Sequence, residues 1–126
     1  MKGAAMTVTI FNRLGEDAQG NARYKPCVFR NVYIETKEAA NPVYSGERNN
    51  NNFRLYLFTD RGYLPQEEFS ASPHSHWTLA PGDLLALGIH RDLPKNPYRI
   101  NTINVFYAQD KFHHWEVSGR GQLLES

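Results

Sequence analysis

A chain of 126 residues holds one domain's worth of core, and its 21% charged and 40% hydrophobic residues are ordinary for a folded soluble protein. A formal charge of +1 provides no overall attraction to nucleic acid or acidic membranes, and a single cysteine, Cys27, excludes an intrachain disulfide and any cysteine-based zinc site. The aromatic share of 13% is high, and β-sheets and protein interfaces both favour such residues.

The opening MKGAAMTVTIFNRLG carries one lysine and no sustained apolar run, so it does not read as a signal peptide. No stretch approaches the ~20 apolar residues of a membrane span. These features predict a chain made and kept soluble inside a cell. Cys27, between Pro26 and Val28, is expected to be a buried, inert thiol.

No dozen residues sustain apolar positions at helical spacing, whereas short alternating runs recur between turn-rich loops. TVTIFN (Thr7–Asn12) sets Val8 and Ile10 against Thr7 and Thr9. The loop RLGEDAQGNA follows, and RYKPCVF and NVYIET read as further strands. Val32 and Ile34 face one way there, Tyr33 and Glu35 the other, and Pro26 marks an edge or a bulge. EAANPVYSGERNNNN, residues 38–52, is polar and reads as a mobile surface loop. In FRLYLFTD, Phe53, Leu55 and Leu57 share a face, and Tyr56 and Phe58 take the other, the pattern of a central strand or of one covered by a partner. Residues 60–76 form a second long connection, expected to be mobile, with a short helical turn at Pro65–Phe69.

WTLAPGDLLALGIH places Pro81-Gly82 at the centre of a type II turn, followed by Leu85, Leu87 and Ile89 as an inward face. YRINTINVFYA has Ile103, Val105 and Tyr107 in phase, and HHWEVSGR closes the chain. The expected core is Val8, Ile10, Val32, Ile34, Leu55, Leu57, Leu85, Leu87, Ile103, Val105, Trp115 and Val117. Residues 1–126 are expected to form one mostly β domain, a small barrel or sandwich with long loops and at most a short helix. Residues 1–6 and 121–126 are expected as flexible ends.

KFHHWEV raises a choice. Strand geometry places His113, Trp115 and Val117 on one face and His114 and Glu116 on the other. His114 and Glu116 could join His74 and His76 in a His/carboxylate metal site, or Trp115 and Val117 could fill the core while His114 and Glu116 lie at the surface. The second reading asks less of the sequence, since nothing says that the two segments meet. No nucleophile elbow, His-Glu-x-x-His helix or phosphate-cradling loop is present. Arg54, Tyr56 and Phe58, with Arg23 and Lys25 nearby, would suit an OB-like nucleic-acid surface, and a partner-contact face is the competing use.

The order of TVTIFNRLGEDAQGNARY, VFRNVYIET, WTLAPGDLLALG and INTINVFYAQDKFHHWEVSGR, over roughly residues 6–120, resembles the small head–tail connector proteins of long-tailed phages and prophages, also called minor capsid proteins. Position 33 is tyrosine where that family commonly has tryptophan. The resemblance implies a structural virion protein of the stopper or head-closure type, made in the host cytoplasm and residing at the head–tail interface. A tail-terminator or tail-completion protein is the alternative. It implies no enzyme activity, no cofactor and no metal. Partners would be further copies in a closed ring, a portal or adaptor protein above and a tail protein below, with no membrane and with DNA only passing through. Closed rings need two different patches meeting head to tail. Tyr33, Tyr56, Phe58, Phe106, Tyr44, Tyr63 and Phe69 are the candidate interface residues.

Overall fold

The computed structural model describes residues 4–37, 52–71, 73 and 75–121. In chain order the elements are β1 (Ala4–Glu16), β2 (Ala22–Lys37), β3 (Asn52–Leu57), α1 (Gln66–Ala71), β4 (Leu84–Leu87), β5 (Tyr98–Ala108) and β6 (Lys111–Gly121). Every pairing between these strands is antiparallel, and the six strands close in the order β1, β2, β3, β6, β5, β4. Among the described residues no helix is long and apolar enough to cross a membrane.

Period-two alternation builds the interior. Val8 and Ile10 from β1, Val32 and Ile34 from β2, Leu55 and Leu57 from β3, Leu85 from β4 and Trp115 and Val117 from β6 are all buried in one cluster. Two of the four register shifts adjust the phase of the core strands. Met6 pairs with Val32 and Val8 with Phe29, so β2 carries one extra residue, and Asn31 takes a positive φ of 58° there. Asparagine tolerates that conformation, and the bulge lets Phe29 and Val32 both face inward. In β5, Ile100 pairs with Gly119 and Thr102 with Ser118, so Asn101 is the extra residue and Ile100 points into the core at 0% exposure.

Three expected features sit where the sequence placed them. β3 lies between β2 and β6 with Phe53, Leu55 and Leu57 inward. Pro26 falls on the part of β2 that β3 does not reach, where its missing N–H costs no ladder bond to β3. Ala80–Asp83 is a turn closed by Asp83 N–H to Ala80 O at 3.0 Å, with Gly82 at φ 97°.

Other expectations are corrected. Leu87 and Val105 are 37% and 38% exposed, not core. Leu87 ends the four-residue β4 at the barrel's rim, and Ile89 beyond it is exposed too. β4 pairs with β5 only at Tyr98 and Arg99, so the β5–β6 hairpin runs on past the closed part of the barrel. Side chains on its inner face there lose the opposite wall: Ile103 is half-buried, Val105 exposed, and Tyr107 65% exposed. Ala4–Met6, expected as a loose end, extends β1 against Val32–Ile34.

The connection over 60–76 is not loose in its described part. Trp77 donates its indole N–H to Arg61 O at 2.7 Å, and Leu64 N–H bonds to Trp77 O. Tyr63 and Phe69 leave the interface set for this reason. Tyr63 packs on Trp77 and Trp115 at ring separations of 5.4 and 4.7 Å. Phe69 is 1% exposed, the buried residue of α1, which starts just after Pro65 as expected.

A polar knot joins β1 to the 77–83 segment. Asn12 donates to Thr78 O and to Asp83, and its own oxygen accepts from Thr78 N–H. Asp83 also accepts from the backbone of Arg13 and Ala80. All three of its partners are donors, so an amide at position 83 would set N–H against N–H. Asp83→Asn is expected to lower unfolding stability by about 2 kcal/mol, measured by urea titration. Burial pushes the Asp83 carboxyl above its usual range, against the hydrogen bonds from Arg13, Asn12 and Ala80. The folded chain then holds this proton more tightly than the unfolded one. The Asp83 contribution is therefore greatest below the usual carboxylate range and declines as pH rises through the raised value.

Candidate functional site

The outward positions of β2, β3, β6 and β5 form one continuous surface. Cross-strand register sets Tyr33 beside Tyr56, Tyr56 beside Glu116, and Glu116 beside Asn104. One step along the sheet, Glu35 lies beside Arg54, Arg54 beside Ser118, and Ser118 beside Thr102, with the last two hydroxyls hydrogen-bonded. In the other direction stand Phe58, His114 and Phe106. The face thus grades from polar at one end to aromatic at the other.

The aromatic end is built around His114. Phe106 stacks on its ring at 4.8 Å and 4°, Phe58 lies 5.7 Å away and Tyr56 6.2 Å away. Phe58 meets Tyr33 edge-on at 6.0 Å. Four of the candidate interface residues, Tyr33, Tyr56, Phe58 and Phe106, therefore converge on one patch. Tyr44 lies outside the described residues. Phe58 is 49% exposed and Phe106 40%, unusual for phenylalanines on a small folded chain.

The paired histidines have a local cause. Phe106 pairs with His114 and Tyr107 with Phe112, so His113 is the extra residue of a bulge in β6. It therefore does not follow Trp115 onto the inner face, as regular alternation suggests. Instead its Nδ1 lies 2.7 Å from Nδ1 of His114, whose Nε2 is 3.0 Å from Glu116. With His114 donating from Nε2 to the carboxylate, its Nδ1 is left to accept from His113. The chain Glu116–His114–His113 fixes the central ring in the plane that Phe106 stacks on.

The proposed metal set is not assembled among the described residues, where no group of three His, Cys, Asp or Glu side chains is placed to hold an ion. His74 lies outside them, and the His76 carbonyl accepts from Lys25 Nζ at the other end of β2. The basic set does not gather either. Lys25 and Arg23 stand eight and ten residues down β2 from Tyr33, roughly 26 Å or more at the usual rise per residue. Arg54 stays by the patch, where Tyr56 beside it pushes its basicity still higher. Cys27 is half-buried, and burial pushes its thiol up against the opposing charge of Lys25, as suits an unreactive group.

Sequence reasoning missed the second element of the site, the exposed Val105 and Tyr107 on the far side of the same hairpin. The signal was there in the length of the β4 run: LLAL is too short to cover an eleven-residue β5.

A family model matches residues 4–120, nearly the whole chain, and the chain belongs to that family, a family of unknown function (DUF6751). No curated protein and no solved structure matches the sequence.

Proposed function

We propose that this member of DUF6751 is a structural component of a phage or prophage particle, a head–tail connector of the stopper or head-closure type. The observation that carries the reading is the aromatic patch of Tyr33, Tyr56, Phe58 and Phe106 on the outside of a closed barrel. Aromatic side chains on a stiff support give large contact area with little ordering cost, which is what a subunit interface requires. The motif order that resembles connector proteins supports the same reading. In a ring, the patch of one copy meets a different surface of the next, with portal or adaptor above and tail protein below.

Fractionation of particles tests this. Particles banded from a lysate of cells that encode the chain should carry it at a fixed ratio to the portal protein, resistant to high-salt washing. Particles with heads and tails joined but devoid of the chain, from cells that make it, would overturn the reading. A chain recovered instead on oligonucleotides, released by salt, would favour the nucleic-acid surface.

A further inference from the structure

β5 has one partner for most of its length. β6 pairs with it from Tyr98 to Ala108, whereas on its other side β4 reaches only Tyr98 and Arg99, and the 82–83 backbone bonds only to Ile100. From Asn101 to Ala108 no described residue pairs with that edge, so alternate N–H and C=O groups point away from the sheet. The segment reads NTINVFYA and contains no charged residue. Exposed strands are ordinarily protected by lysine, proline or a bulge that twists them away. Here the bulge near the hairpin end lies on β6, leaving β5 regular from Thr102 onward. Both of its faces are apolar at the end, with Val105 and Tyr107 on one and Phe106 on the other, all 38% exposed or more.

We propose that the free edge of β5 pairs with the same edge of a second copy of this chain, antiparallel about a two-fold axis. A strand paired antiparallel with itself is complementary by symmetry, because a contact from one residue to another is returned. An uncharged segment makes this possible, since no like charges meet across the axis. The register centred on Val105 sets Val105 against Val105, Ile103 against Tyr107 and Asn104 against Phe106 of the second copy. It continues both faces of the sheet and gives Tyr107 an apolar neighbour. This pairing does not depend on the connector reading. A ring of single polarity has no two-fold axis in its plane, so the pair is the form of the free chain, exchanged for other contacts on assembly.

Charge-swapped variants test it directly. Sedimentation velocity on the full chain should show a concentration-dependent monomer–dimer equilibrium. Val105→Lys and Val105→Glu, each at an exposed position, should weaken it at least tenfold when alone, because like charges face each other at the axis. Mixed one to one, they should restore a dimer. The alternate amides of residues 101–108 that point away from β6 should exchange with deuterium at least tenfold more slowly in the dimer than in dilute monomer. A chain monomeric at every concentration, a dimer indifferent to both charges, or a dimer in which those amides are unprotected would each overturn the proposal.

Discussion

Gly119→Ala is expected to cost about 4 kcal/mol or more in unfolding stability, since Gly119 is the one described glycine whose added Cβ would collide with backbone. Gly119 lies opposite Ile100 across the β5–β6 ladder. A Cβ added there would lie far inside van der Waals contact distance of the Arg99 carbonyl oxygen, and 2.9 Å from Phe53 Cε2. Its φ is ordinary, so proximity and not backbone conformation makes glycine necessary. The oxygen belongs to backbone next to Ile100, which also bonds to Gly82 and Asp83 and so ties the 80–83 turn to the sheet. Relief of the clash would prise β5 from β6 at the place where the barrel closes through β4. Urea unfolding followed by tryptophan fluorescence reads the loss, with Trp77 and Trp115 both in the core as reporters. Ser118→Ala, one residue earlier and outward-facing, gives up only its exposed hydrogen bond to Thr102 and should cost about 1 kcal/mol or less. Equal midpoints for the two variants would contradict the placement of this strand pair.

The second large effect is on assembly. Phe58→Asp should reduce incorporation of the chain into particles by at least about thirtyfold, the scale of a strong interface anchor. Phe58 touches Tyr33 on one side and His114 on the other, so it occupies the middle of the patch. Half of its surface is already in water, so the same change should move the urea midpoint little. That separation of assembly from stability is what distinguishes an interface residue from a core residue. Cells lacking their own copy, supplied with either variant from a plasmid, provide the comparison through particle yield and composition. Glu67→Gln, exposed on α1, is the control and should incorporate normally. Normal incorporation of Phe58→Asp would remove the patch from the interface.

Alternation made much of this fold legible. Val8 with Ile10, Phe53 with Leu55 and Leu57, and Trp115 with Val117 declare their inner faces at a glance, and Pro81-Gly82 declares its turn. The same alternation misled where its partner strand stopped. Val105 and Tyr107 continue the phase of Ile103, but β4 runs antiparallel from Leu84, opposite Arg99, back toward Tyr98 and never reaches them. Bulges were the other blind spot. Nothing in KFHHWEV marks His113 as the extra residue, since that depends on which β5 residue faces which β6 residue. The aromatic patch was readable strand by strand through Tyr33, Tyr56, Phe58 and Phe106. Their convergence needed the register of four strands, which sequence spacing does not supply. Phe69 and Tyr63 looked like surface aromatics because their loop is polar around them, yet each is the apolar anchor that fastens its segment down.

In the proposed role, the outer aromatic face of this barrel is buried between subunits at the neck of a phage-type particle. A cryo-electron microscopy map of that neck, at a resolution that shows aromatic side chains, tests it most directly. The six-stranded barrel should appear as a ring, with Phe58 and Phe106 covered by a neighbouring chain. A neck built without this barrel, or a ring in which that face looks into solvent, would contradict the claim.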